Sequence, residues 1–222
     1  MRPSLALAAV FLFVATTVQA QPLTDSVGGA STGFGVSSFG LYGSAAYEVM
    51  PRLRLRGVLT GIPDFEFEGD EDDFGTEITA DGSFGGIAAL ADYHPYGGGF
   101  RISGGLFFSS SDLDGSGRGF GADDGMRYDD ARVDASVRFA NEVAPMLALG
   151  YTSGGAHGWG FESEIGLIGI GGVEVALDGT SGDPSVDAEF EADLQQMEDD
   201  ANETGSDLVV YPWLSLGVSY RF

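Results

Sequence analysis

The sequence predicts an all-β fold: one antiparallel transmembrane β-barrel of eight strands, with a short amphipathic helix in an outer loop. Three observations point there. Apolar and polar residues alternate with period two through most of the chain, as in strands with one greasy and one polar face. Connections between these segments are alternately short and long, as in a barrel with tight turns at one mouth and longer loops at the other. The chain also ends inside such a segment, YPWLSLGVSYRF, where Leu214, Leu216, Val218, Tyr220 and Phe222 alternate with Ser215, Gly217, Ser219 and Arg221. Domains usually finish in a fraying tail unless something ties the end down.

Arg2, an apolar run over 5–14 and the small-residue site Val18-Gln19-Ala20 have the three parts of an export signal. Residues 1–20 are therefore expected to be a signal peptide cleaved near Ala20, and 21–222 one barrel domain. No stretch approaches the roughly 20 apolar residues of a spanning helix, so a membrane crossing must be made by a closed barrel. The chain carries 34 acidic residues against 10 basic ones, a formal charge of −24, and every basic residue is an arginine. Nucleic acid is excluded as a partner, because phosphate binding needs clustered cations. Such a surface suits a salty medium, where screening weakens self-repulsion. Absence of cysteine rules out disulfides and thiolate chemistry.

The strand segments follow in order. Residues 36–49 put Phe39, Leu41, Ala45, Tyr47 and Val49 on one face and Tyr42, Ser44, Ala46 and Glu48 on the other. Residues 52–59 alternate Arg52, Arg54 and Arg56 with Leu53, Leu55 and Gly57. After 78–93, Phe100, Ile102, Gly104, Leu106 and Phe108 alternate with Arg101, Ser103, Gly105 and Phe107. Residues 131–151 are interrupted at Asn141-Glu142 and read as one bent strand or as two. Residues 159–177 begin with Trp159, Phe161, Ile165 and Leu167 outward and Glu162 and Glu164 inward; 211–222 close the series. A single-chain barrel needs an even number. The eighth strand is expected at 26–35, or failing that from a split at Asn141.

Short connections are expected at Met50-Pro51, 94–99 and 153–158, and long acidic loops at 64–76, 110–130 and 178–207. In the last, Val186, Phe190, Leu194, Met197 and Ala201 recur at helical spacing, with Asp183 to cap, Pro184 in the first turn and Gly205 to end. This helix reads as a cover on the barrel mouth, or as a lid or docking site.

In its leader, its 92–108 stretch DYHPYGGGFRISGGLFF and its closing YPWLSLGVSYRF, the chain resembles the small outer-membrane β-barrel proteins of Gram-negative bacteria, the group of outer membrane protein W and the barrel of outer membrane protein A. The resemblance implies an outer-membrane location among lipid. It also implies that Tyr220 and Phe222 are an assembly signal read by the barrel-assembly machinery.

Inward positions collect Glu48, Arg54, Arg56, Asp92, Arg101, Arg138, Glu162, Glu164 and Arg221, a lumen charge network that must pair within itself in a narrow barrel. The stretch DLDGSGRGFGAD fits a calcium loop through Asp112, Asp114, Ser116, Gly117 and Asp123, so Asp112, Asp114, Ser116 and Asp123 are candidate calcium ligands. Gly119 in place of the usual apolar residue and the missing flanking helices favour a plain solvated loop. The only histidines, His94 and His157, lie in short turns with no nucleophile beside them, so no enzyme, catalytic residue or cofactor is expected. The expected function is an outer-membrane barrel with a structural or surface role and a largely plugged, charge-lined lumen. The alternatives are a passive transporter of small solutes, hydrophobic ones included, and an adhesion or divalent-cation-binding surface protein.

Overall fold

A computed structural model describes residues 29–69, 78–121, 127–154 and 157–222. The strands are β1 (Ala30–Ser37), β2 (Gly40–Met50), β3 (Leu53–Gly69), β4 (Ile78–Tyr93), β5 (Phe100–Ser109), β6 (Asp112–Gly121), β7 (Arg127–Phe139), β8 (Val143–Thr152), β9 (Gly158–Ile168), β10 (Val173–Thr180) and β11 (Tyr211–Arg221), with helix α1 (Asp187–Ser206) before the last. All pairings are antiparallel.

Eight wall strands close into a barrel. β5 and β6 both pair with β4 and are successive parts of one wall strand; β7 with β8, and β9 with β10, form two more. Closure comes from β11, which pairs with β9 on one side and β1 on the other. The chain is held to its last residue, since the Phe222 amide donates to the Ala30 carbonyl at 3.0 Å. Following partners once round the wall, from Arg221 through Ser31, Ala46, Arg56, Leu90, Gly105, Met146 and Ile168, returns to β11 at Tyr211, ten residues from the start. With about 3.3 Å per residue and 4.8 Å between strands, a shear of ten over eight strands means a tilt of roughly 40°.

The eighth strand is β1, close to the expected 26–35, but its upper end takes two residues from the segment read as 36–49. The turn at Ser38-Phe39 corrects that reading, and with it Phe39, expected on the outward face, points inward and is fully buried. Ser38 pins this turn to β11: its amide donates to the Leu214 carbonyl at 2.9 Å and its hydroxyl to the Pro212 carbonyl at 2.9 Å. Residues 131–151 prove to be one bent wall strand, broken between Phe139 and Val143.

All three expected long loops are partly sheet, the last only at its start, where β10 runs to Thr180. β3 runs on to Gly69 and pairs with β4 beyond the end of the β1–β2 hairpin, while β6 and β7 pair from Asp112 to Gly121. The wall strands β3, β4, β6, β7 and β10 therefore rise above the β1–β2–β11 side as an open sheet. β10 is its edge, and an uncovered edge has unpaired amides and carbonyls. α1 satisfies part of it. Asn202 accepts from the Val175 amide through Oδ1 at 2.8 Å and returns Nδ2 to the Val175 carbonyl at 2.9 Å, and Glu198 accepts from the Leu177 amide at 3.1 Å. Phe190 and Leu194 are buried against Ala131, Val133 and Leu177.

The helix begins later than expected. Val186 is its N-cap residue, without a side-chain cap, while Asp183 turns the preceding chain by accepting from the amide and hydroxyl of Ser185 at 2.9 and 2.8 Å. Removing one partner of a buried hydrogen bond costs about 1–3 kcal/mol. Asn202→Ala is therefore expected to speed amide hydrogen exchange at Val175 roughly tenfold or more, with β2 amides unchanged; an unchanged Val175 rate would mean the helix does not seal this edge.

Candidate functional site: the filled lumen

Inward side chains fall into layers. Towards the end with the open sheet and α1, the upper end, lies an aromatic layer. The Phe39 ring is 4.8 Å from Phe84, 5.0 Å from Phe107, 4.7 Å from Tyr211 and 6.2 Å from Trp213, with Phe139 at 6.3 Å. Phe39, Phe107 and Trp213 are essentially inaccessible. The turn residue Phe39 thus acts as a stopper dropped into the mouth from the first hairpin.

Beneath it lies an ionic layer in which Arg56 and Arg101 face Asp92 and Glu164. Arg56 grips Asp92 with Nε at 2.7 Å and Nη2 at 3.1 Å, and reaches Glu164 Oε2 at 2.6 Å. Arg101 donates to the same Glu164 oxygen from Nε at 3.0 Å and Nη2 at 2.8 Å. Ser103 donates to Asp92 at 2.6 Å, and Thr152 accepts from Arg101. The other Glu164 oxygen accepts from the Trp213 indole at 2.8 Å, which bonds the aromatic layer to the ionic one. The two positive and two negative groups balance. That balance matters because each buried ion costs several kcal/mol of desolvation if left unpaired.

The wall makes room for these groups by withholding side chains. A Cβ on Gly150 would stand 2.7 Å from Arg101 Nε, and one on Gly33 would collide with the Glu162 carboxylate.

The lower layer is looser. Tyr42 donates to Glu162 at 2.7 Å, Arg54 meets Glu48 at 3.4 Å, and Arg221 lies within electrostatic reach of both Arg54 and Glu48. Arg54, Glu162 and Arg221 line a cavity of about 30 Å³ that also touches Asp92, Thr152 and Ser219. That is room for one or two waters. His94 borders the cavity from the turn after β4. Its Nδ1 is 3.0 Å from the Gly98 carbonyl, to which it donates as N–H, and its buried Nε2 has no partner among the described residues. Burial holds the imidazole below its ordinary pKa, favouring the neutral ring.

Eight of the nine expected network residues, Glu48, Arg54, Arg56, Asp92, Arg101, Glu162, Glu164 and Arg221, are brought together inside the wall. Arg138 is the exception. Its side chain is 61 % exposed and pairs with Glu174 at 3.2 Å on the outer face. The cause is the break between β7 and β8: Phe139 points inward above it, and Ala144, Met146 and Ala148 below it, so the alternation changes phase and a period-two count run upward from β8 misplaces Arg138.

Sequence reasoning missed Tyr42, Ser103 and Trp213 as members. Trp213 had a signal, standing beside Tyr211 on a face whose next positions, Ser215, Gly217 and Ser219, are small and leave it room. The candidate calcium ligands, set against the plain solvated loop that the sequence favours, fall partly in a strand. Asp112, Asp114 and Ser116 lie in β6, where alternate residues are spread along an extended strand rather than curled into a loop; Asp123 is outside the described residues. Among the described residues no group of three or more acidic or histidine side chains is placed to hold a metal. His157 is exposed.

Next to α1, Phe190 and Leu194 fill the space against the sheet. A groove of about 460 Å³ beside the helix is lined by Ser136, Arg138, Glu174, Glu198 and Asn202 together with Val173, Val175 and small residues, a surface of mixed polar and apolar character.

Glu164→Ala leaves two arginines buried against one carboxylate, and is expected to lower stability by about 3–5 kcal/mol, read from urea unfolding of the refolded barrel. A loss below about 1 kcal/mol, the size of an exposed pair, would show the network to be solvated.

No protein-family model matches the chain, and no curated protein does. Solved structures do. CarO2 of Acinetobacter baumannii superposes with a TM-score of 0.58 at 17 % identity, covering 89 % of this chain and 100 % of that one. CarO of the same organism gives 0.53 at 19 % identity, covering 91 % and 100 %. These proteins are named CarO, not outer membrane protein W or A, so the sequence motifs foresaw the kind of barrel without its neighbours. At such identity the likeness is one of fold: a closed, antiparallel, eight-stranded barrel with one helix.

Proposed function

We propose that the chain is an outer-membrane β-barrel of a Gram-negative envelope, with a structural or surface role, a lumen closed to solutes and no catalytic activity. The observation that carries this reading is the contrast between the two faces of one wall. Outside, Leu147 is 68 % exposed, and Leu41, Leu55, Ile87, Ile165 and Leu216 are all more than half exposed. A belt of that kind is far larger than a water-soluble monomer tolerates. Inside, aromatic and ionic layers leave about 30 Å³.

Further support comes from the aromatic residues at the lower end. Tyr47, Tyr93, Tyr151, Trp159 and Phe222 stand outward and Tyr220 joins them, Trp159 lying 5.2 Å from Tyr220 and Tyr220 5.1 Å from Phe222. Aromatic girdles of this kind sit at membrane–water interfaces. The fold shared with the CarO barrels supports the same placement. On this reading the short turns and the C-terminus face the periplasm after cleavage near Ala20, and the open sheet and α1 face outward. Tyr220 and Phe222 serve twice, as wall and as signal to the assembly machinery.

In planar bilayers the refolded barrel is expected to give no steady conductance; large, stable openings would contradict closure. Deleting Phe222 removes one backbone bond to Ala30 at the wall's lower rim. The deletion is expected to refold in detergent nearly as the parent does, yet to reach the outer membrane of cells in several-fold lower amount. Equal cellular insertion would remove the signalling role.

A further inference from the structure

Above β9 the wall loses a strand. After Ile168 the chain bends through residues 169–172 and leaves as β10 to join the taller sheet, so β11 is paired with β9 up to Tyr211 but the chain entering it has no strand beside it on that side. The gap is lined by the segment joining α1 to β11. Leu208, Val209 and Val210 are three consecutive apolar residues, 52 %, 53 % and 47 % exposed. The segment is fixed in place, the Gly171 amide donating to the Val209 carbonyl at 3.1 Å and the Leu208 amide to the Gly205 carbonyl at 3.2 Å.

Register gives its height. The top of the outward apolar belt on the neighbouring wall is the row Ile87, Phe108 and Val143, which are direct partners. The β8–β9 and β9–β11 registers pair Met146 with Ile168 and Ile168 with Tyr211. Because partner lines climb the tilted wall by about 3 Å at each strand, the position on the chain entering β11 that is level with Val143 is near Val210, with Leu208 roughly 6 Å higher.

We propose that Leu208–Val209–Val210 is a lipid-contacting segment that carries the apolar belt across the gap left by β10. Its partner is the acyl chains of the outer leaflet, which fixes the C-terminal end of α1 at the membrane surface. Continuity with the belt at Val210, and exposure of three adjacent apolar side chains on a hydrogen-bonded backbone, favour lipid over a protein partner. The inference rests on the outer-membrane reading above.

The cysteine-free chain allows single nitroxide labels. Leu208→Cys, Val210→Cys, the mid-belt Leu216→Cys and Gln196→Cys on the exposed face of α1 would each be refolded into dilauroyl phosphatidylcholine vesicles. Oxygen, which partitions into lipid, is compared with a water-soluble nickel complex as relaxant. Labels at 208 and 210 are expected to give an oxygen-to-nickel ratio several-fold above that at 196 and close to that at 216. If 216 is in lipid while 208 and 210 match 196, this inference is overturned and the barrel reading stands. If 216 is nickel-accessible too, both fall.

Discussion

Arg56 and Arg101 can lie side by side in the interior of this wall because one carboxylate oxygen of Glu164 accepts from both, while Asp92 holds Arg56 from the other side. The remaining Glu164 oxygen takes the Trp213 indole, so a single side chain from β9 ties strands β3, β5 and β11 together across the lumen. An eight-stranded wall encloses little more than its own side chains. Charges placed there must therefore neutralise one another, and the glycines at 33 and 150 are the counterpart of that demand on the wall itself. Filling, neutrality and glycine placement are one constraint expressed at three sites.

The same wall explains what could be read in advance. Alternation is a local property, and wherever a strand keeps its phase, as in β5 and β9, inward and outward residues are legible from the residues alone. Legibility ends where phase breaks. The turn at Ser38-Phe39 carries none of the usual signals of a long connection, so it falls inside the segment read as 36–49 and its stopper reads as an outward residue. The irregularity above Val143 shifts the count by one and sends Arg138 outside. An acidic, glycine-rich run such as 112–121 looks like a loop in isolation; it is a strand because β4 and β7 are present on either side to pair with it. Which charges meet which is likewise a tertiary fact: Arg56 and Glu164 are 108 residues apart.

Uneven wall height gives α1 its place. The open sheet ends in an edge strand, and the helix covers it with side chains, Asn202 acting as both donor and acceptor to Val175. The helix is strongly acidic on its exposed side yet anchored by Phe190 and Leu194, so it behaves as part of the wall's upper rim and not as an appendage of a loop. It returns the chain to β11 just where β10 has departed.

Closure of the lumen can be tested at the bond between its layers. In the refolded barrel the Trp213 indole proton, donated to Glu164, and the Trp159 indole proton, on the outer surface, can be followed separately by NMR after transfer into deuterated buffer with the barrel in detergent micelles. A sealed lumen requires the Trp213 proton to persist long after the Trp159 proton has been lost. Exchange of both at the same fast rate would mean that water reaches the centre of the barrel, and that the aromatic and ionic layers do not close it.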